Sequence, residues 1–379
     1  MPTYTVIIHT PQELNHASYI QTGLFELQQK GLIDVKVQLS LKKNKGRVGV
    51  DDNGLIAETS HAFPKVSFYT LIDTKTNKKI SFTTDLYDHA EYFSTVALKT
   101  CDFYFKRNFE SRFVNILNQI YKRQVYPLGL TFRVQSTFSN SKKNKFKMGV
   151  MLSSILWNIK FDGLFFKRLK NTYSRVSAHI KKSDENRFLG RFETLEKPSA
   201  RTIMFQTRCF LHEHDEDVKQ IHQQRYHIIK VLRKYFPDSF VGGFVPSKIA
   251  TEKYGDALTN VPTAPEEYLN ALKKAKIVIY TRGLANSPAW KMAEYLSQGK
   301  VIIAEPLTTV LPEPLIEGKE LLYFNNDTEL VEKIKMVLED NTLASNLSKN
   351  ARAYFEKHVH PVQNTKRILE FMLNKPLEY

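Results

Sequence analysis

Two cysteines, Cys101 and Cys209, in 379 residues cannot staple a disulfide framework or fill a cysteine-based zinc site. No apolar run approaches the roughly 20 residues that span a bilayer, and the opening "MPTYTVIIHTPQE" lacks a basic leader and reads as a first strand. A cytoplasmic protein is the expectation. The spaced glycines of a dinucleotide fingerprint are missing, because "VGGF" (241–244) carries only an adjacent pair. Metal-ligand patterns are equally sparse. "HEHDED" (212–217) has an Asp-x-Asp spacing, but Asp215, Glu216 and Asp217 suit the first turn of a helix, whose positive end favours carboxylates, so no metal and no other cofactor is expected. Acids are scarce in one place: residues 138–182 hold eleven Lys or Arg against Asp162 alone, most of the net +16. The remaining chain is close to balanced, which excludes a nucleic-acid-binding face spread over a domain.

What is present is enough apolar material, 42% of residues, for two domains. "YTVIIHT", the helical period over 16–31 and the alternation of "IDVKVQLSL" predict a β-α-β beginning. "VSFYTLID" and "KKISFTTD" flank a turn and predict a hairpin, "AEYFSTVALKTC" a helix, "DFYFKRN" a strand and "SRFVNILNQIYKR" a second helix. Residues 138–200 break this rhythm with aromatics and bases on amphipathic stretches, ending in a linker, "ETLEKPSA". Afterwards continuous apolar strands at 201–207, 239–244, 276–281, 300–306 and 320–324 alternate with helices over 216–235, 265–275, 327–339 and 342–357, the pattern of a parallel sheet covered on both faces. The chain therefore reads as α/β, with two Rossmann-like domains over 1–198 and 199–360 and a C-terminal helix within 361–379 that packs back on the first.

Ligands of such sheets bind beyond the carboxyl ends of the strands. The stretch "RGLANSPAWKMAEYLSQGKVIIAEP" (282–306) lies there. Ser287 suits an N-cap and Pro288 the first helical position, so Arg282, Gly283 and the helix N–H groups form a phosphate-attracting loop. Lys291 and Glu294, at i and i+3, share a helix face on which a lysine can neutralise phosphate and a carboxylate can accept ribose hydroxyls. The same spacing also describes a solvated pair worth a few tenths of a kcal/mol.

The motif run "TRGLANSPAWKMAEYLSQGKVIIAEPL", "GKELLYF" and "NARAYFEKHVHP" resembles the nucleotide-sugar-binding domain of GT-B glycosyltransferases with a "glycosyl transferases group 1" type C-terminal domain, in particular bacterial enzymes of surface-polysaccharide assembly. The resemblance covers some 160 residues, from about Arg201 to Pro361. It implies two domains facing across a crevice and transfer of a sugar from a nucleotide-sugar donor to a glycan acceptor, free or lipid-linked. Glu294 would then be the ribose ligand and Lys291 with Arg208 the diphosphate pair, while Gly243 would permit close approach of backbone to the nucleotide. One departure stands out: the Glu-x7-Glu pair of many retaining members would need a glutamate at 286, where this chain has Asn286. A non-catalytic nucleotide- or glycan-binding protein of the same fold is the alternative.

The first half resembles the family more weakly, through "DLYDHAEYF" and "CDFYFKR". Asp85, Asp88, His89 and Glu91 are the densest cluster of candidate bases, and Asp85 or Asp88 reads equally as the cap of a helix beginning near His89. His16, after the first strand, is a candidate acceptor ligand or a surface histidine at a helix start. The segment 142–182 suits docking on an anionic membrane surface at the inner face of the plasma membrane, with "MGVMLSSILWNI" too short to span and Lys142, Lys143, Lys145 and Lys147 beside it. Its apolar faces could instead pack into the first domain.

Overall fold

The computed structural model describes residues 2–378 apart from 11, 41–44, 64, 122–123, 137–148, 150–160, 184–186, 199–200 and 212–213. The apolar run at 148–159, Gly149 excepted, and Lys142, Lys143, Lys145 and Lys147 lie outside the described residues, as do His212 and Glu213. The chain divides into two compact units. One comprises Met1–Leu189, Val310–Pro312 and Pro361–Tyr379; the other comprises Gly190–Thr309 and Glu313–His360.

The first unit is built on a six-stranded sheet of order β2-β1-β5-β6-β8-β9. β1 (Tyr4–Thr10) pairs in parallel with β2 (Asp34–Leu39) across helix α1 (Leu14–Gln29), while β5 (Val66–Asp73) runs antiparallel to both β1 and β6 (Lys79–Asp85). The hairpin between β5 and β6 turns where the Asp73 carboxylate accepts the N–H groups of Lys75 and Thr76 and Asn77 adopts φ 59°. β6 then pairs in parallel with β8 (Phe103–Lys106), and β8 with β9 (Val125–Pro127). The sheet is thus α/β but mixed.

A three-stranded sheet of order β4-β3-β7 was not legible in the sequence. Its members are β3 (Lys45–Val50), β4 (Ile56–Ala62) and β7 (Tyr92–Ser94). β7 shortens the helix expected over 90–101: Phe93 pairs with Val48 as a buried strand residue, and Ser94 then caps α2 (Thr95–Thr100) by accepting the Ala97 N–H. No helix begins near His89, so neither Asp85 nor Asp88 is a cap.

α3 (Ser111–Tyr121) and α4 (Phe165–Ser183) follow in the same unit, and the short α5 (Leu189–Glu193) leads into the second. The C-terminal helix, α12 (Pro361–Leu373), belongs to the first unit and lies on α1. Gly23 makes the approach possible, since a Cβ there would come within 2.0 Å of Thr365 Oγ1 and 2.4 Å of the Pro361 carbonyl. Asn364 Nδ2 donates to the Leu128 carbonyl at 3.0 Å and locks the pair to the end of β9.

The second unit holds a five-stranded parallel sheet of order β11-β10-β12-β13-β14: β10 (Ile203–Thr207), β11 (Phe240–Phe244), β12 (Ile277–Tyr280), β13 (Val301–Ala304) and β14 (Leu322–Tyr323). Ile203, Phe205, Ile277, Ile279, Val301 and Ile303 are buried against Ile228, Ile229 and Leu232 of α6 (Glu216–Tyr235), Leu330 and Ile334 of α10 (Asp327–Glu339) and Leu347 of α11 (Asn341–Tyr354). Each such side chain contributes about 1.5–3 kcal/mol by leaving water. Two further helices, α7 (Lys248–Lys253) and α8 (Pro265–Lys274), precede β12, and α9 (Trp290–Ser297) joins β12 to β13.

The strand order fixes where a ligand would sit. β10 has β11 on one side and β12 on the other, so the chain leaves β10 and β12 toward opposite faces, and their carboxyl ends flank the topological switch point.

Candidate active site

The residues at the switch point come from four places: 206–208 at the carboxyl end of β10, 281–286 after β12, the helix α9, and α6. Arg225 of α6 joins the first two. Only 5% exposed, it donates to the Arg208 carbonyl (3.0 Å), the Arg282 carbonyl (3.1 Å) and Thr281 Oγ1 (3.4 Å). Burial and the neighbouring charge of Arg208 lower its pKa to about 10. Arg208 itself is exposed over the Phe210 ring and, among the described residues, has no carboxylate partner.

Lys291, half-buried on α9, donates to the Gln206 carbonyl and sets its ammonium 4.8 Å from the centre of the Tyr268 ring. Burial lowers its pKa to about 8; Glu294 opposes the shift, while Arg225 and Arg208 deepen it. Three cations therefore gather at one strand-end cluster, and an anion of two or more charges would relieve their mutual repulsion.

The structure changes four expectations for this region. Ser287 does not cap α9. Ser287 (φ −66°, ψ 149°) and Ala289 (φ −68°, ψ 145°) are both extended, so the helix starts at Trp290 with Ala289 at its N-cap and no side-chain cap. Ser287 is instead 3% exposed, closing the loop by accepting the Gly283 N–H at 2.9 Å through its carbonyl. Arg282 is engaged with a protein carboxylate, Asp217, at 2.5 Å. Glu294, expected on an open face, is only 5% exposed, because nearly all of this short helix is packed. At Gly243 the space that a side chain would fill is held by protein: with φ 134°, a Cβ would lie 2.4 Å from the Ala257 carbonyl.

In the first unit, the carboxyl ends of β1 and β6 carry the other candidates. Asp85 is fully buried with Lys106, which reaches it at 3.0 Å; Tyr104 OH donates to the same oxygen at 2.6 Å, and the Tyr87 N–H to the other at 2.9 Å. A substrate hydroxyl has no route to it, and its role is to anchor the strand end. Asp88 binds Lys65 at 2.5 Å and also Arg107, and although burial works against ionisation these two cations bring its pKa down to about 2. So weak a base suits holding charge in place. His89 Nδ1 and Glu91 Oε1 pair at 2.8 Å, with the imidazole stacked on Tyr87.

His16 sits at the start of α1 with Nδ1 2.5 Å from Glu13 Oε2. Burial lowers the imidazole pKa, Glu13 opposes this, and Lys65 and Arg107 add to it, so His16 is neutral at pH 7. Burial alone would raise the Glu13 pKa, but the hydrogen bond and charge of His16, with backbone N–H groups of His16 and Asn15, hold it at about 2. A neutral imidazole whose other nitrogen is fixed by an ionised carboxylate can accept a proton.

Sequence reasoning passed over Arg225, Gln206, Tyr268, Glu13, Lys65 and Arg107, and gave Asp217 only a place in the first turn of a helix. A signal existed for Arg225, which falls on the apolar stripe of α6 formed by Val218, Ile221, Ile228 and Ile229. Lys65 and Arg107 carry no such signal.

Residues 225–370 match the family model described as glycosyl transferase-like. The match covers less than half of the chain. No curated protein matches it. Among solved structures, the chain is similar to the C-terminal domain of a glycosyl transferase group 1 family protein (LpcC) from Francisella tularensis, at 12% identity over 44% of this chain and 94% of that one with a TM-score of 0.32. It is also similar to Anabaena Alr3699/HepE in complex with UDP, at 12% identity over 72% and 79% with a TM-score of 0.35. For UDP-bound MnaA of S. aureus the values are 13% over 99% and 98%, with a TM-score of 0.39. Among the described residues, no helix is long and apolar enough to cross a membrane and no group of His, Cys, Asp and Glu could hold a metal ion.

Proposed function

We propose that this protein is a glycosyltransferase of GT-B type that moves a sugar from a nucleotide-sugar donor to a glycan acceptor. The observation that carries the reading is the gathering of Lys291, Arg208 and Arg225 at the switch point of a parallel sheet, with Glu294 on the same helix as Lys291. The family match over 225–370 takes in all of these except Arg208. The cations stabilise the diphosphate as it leaves, and Glu294 accepts hydrogen bonds from the ribose hydroxyls. Purified protein incubated with a panel of UDP-, GDP-, ADP- and CDP-sugars and a mixed glycan acceptor pool is expected to release one nucleoside diphosphate. Binding of a nucleoside diphosphate without turnover on any acceptor would favour the non-catalytic reading, and neither binding nor turnover would refute both.

Within this reading, His16 accepts the proton of the acceptor hydroxyl and Glu13 orients it, in preference to the buried Asp85 and the doubly paired Asp88. His16→Ala and Glu13→Gln are each expected to lower kcat by about 100-fold or more while leaving nucleoside diphosphate affinity unchanged. Because the imidazole pKa is lowered, wild-type turnover should fall in solution more acid than about pH 6.5 and hold constant from there up to the region near pH 8 where Lys291 loses its proton. Turnover within threefold of wild type in both variants would remove the pair from the mechanism.

The acceptor is proposed to be presented at an anionic membrane surface. Phe161 and Phe166 are 87% and 81% exposed and Leu164 is 57% exposed, next to Lys167, Arg168 and Lys170. Flotation with anionic vesicles should recover the protein at low salt, and Phe161→Ser with Phe166→Ser should abolish recovery; equal recovery with neutral vesicles would contradict the proposal.

A further inference from the structure

The loop leaving β12 holds two successive non-glycine residues in the left-handed region, Ala285 (φ 49°, ψ 44°) and Asn286 (φ 55°). For an alanine this conformation costs on the order of 1 kcal/mol or more, and it persists only where the surroundings impose it. The surroundings here are one face of α6. Asp217 Oδ2 accepts the Ala285 N–H at 2.8 Å, and Asp217 Oδ1 binds the Arg282 guanidinium at 2.5 Å. Two turns further along the helix, Gln224 holds Glu305, whose other oxygen accepts the Arg282 N–H at 2.8 Å, and Arg225 takes the Arg282 carbonyl. The first turn of α6 thus fixes both ends of 282–285, and beyond Asn286 and the extended Ser287 and Ala289 the chain enters α9 with Lys291.

We infer that Asp217 is a positioning residue of the donor site: its carboxylate imposes the left-handed geometry at 285–286 and, through it, the approach of α9 and Lys291 to the switch point. The inference rests on the donor-site reading above. An acidic residue in the first turn of a helix has an ordinary use at the helix dipole, and Asp217 serves that too, but the dipole does not require a bond to a strained backbone N–H five residues before the start of another helix. The two uses separate experimentally, because strain at 285 is removed by glycine, which adopts φ near +50° without a Cβ penalty, while the helix end is indifferent to residue 285.

The test titrates UDP, GDP, ADP and CDP into wild type and then follows whichever binds. Asp217→Ala is expected to weaken that nucleotide about tenfold, the size of one released strain contribution. Asp217→Asn, which keeps an acceptor for the Ala285 N–H, should weaken it about threefold or less. Adding Ala285→Gly to Asp217→Ala should restore affinity to within about threefold of wild type. Circular dichroism of each variant verifies that the fold is intact before affinities are compared. Unchanged affinity in Asp217→Ala, or a tenfold loss that Ala285→Gly does not recover, would overturn the inference and leave Asp217 as a helix-end carboxylate. Failure of wild type to bind any of the four nucleotides would instead overturn the donor-site reading on which it rests.

Discussion

Replacing Arg225 with methionine is expected to lower the melting temperature by about 10 °C and to abolish measurable donor binding. The guanidinium is buried and makes three hydrogen bonds, two of them to carbonyls on loops either side of the switch point. Methionine fills much of the space but leaves those carbonyls buried without a donor, at about 1–3 kcal/mol each, partly offset because a desolvated cation is removed as well. A net loss of about 3 kcal/mol corresponds to the stated shift for a domain of this size. Lysine should recover less than half of it, since a single ammonium cannot span 208 and 282. A methionine variant melting within 2 °C of wild type would show that the two loops hold their places without the bridge.

The second large effect should come from Lys291→Met, with the opposite balance between stability and binding. Here the side chain is strained by burial among like charges, so its removal is expected to leave stability unchanged or slightly raised while weakening nucleoside diphosphate about 100-fold, the loss of one charge-assisted contact to a phosphate. The pH dependence follows from the lowered pKa. Unfolded Lys291 binds its proton up to about 10.5 and folded Lys291 only up to about 8, so this residue's contribution to stability is present above 10.5 and is lost as pH falls through about 8. Diphosphate favours the charged form and should draw a proton in. Calorimetric titration at pH 8 in two buffers of different ionisation enthalpy should report uptake of about half a proton, absent at pH 6.5 and absent in Lys291→Met. Uptake that is the same in wild type and variant would assign the proton to another group.

The second unit was nearly all legible because its strands are continuous apolar runs and its helices carry caps and apolar stripes. Asp215 before α6 and Asn326 before α10 supply their own cap bonds, and the helices over 216–235 and 327–339 fall where the sequence places them. The first unit was less so. β3 and β4 carry glycine, charged and polar residues in place of a continuous apolar run, β7 has only three residues, and all three are stabilised by pairing with each other, so their identity depends on partners distant in the chain. The "SPAW" start of α9 misled for a local reason: a Ser-Pro pair satisfies an N-cap pattern and an extended entry equally well, and the loop closure between Ser287 and Gly283 selected the extended form. Lys291, Arg208 and Glu294 were visible as residue types after strand ends. The support beneath them was less visible: Arg225 stands out only as a charge on the apolar stripe of α6, and no spacing shows that it and Asp217 hold a loop more than 50 residues later in the chain.

The most direct test of the donor site is calorimetric titration of UDP, GDP, ADP and CDP into the wild-type protein and into Lys291→Met at pH 7. The switch-point cluster predicts that one of these nucleotides binds wild type with micromolar to millimolar affinity and that the variant binds it about 100-fold more weakly with its fold intact. Equal affinity in the two proteins, or no binding of any nucleoside diphosphate to wild type, would contradict it.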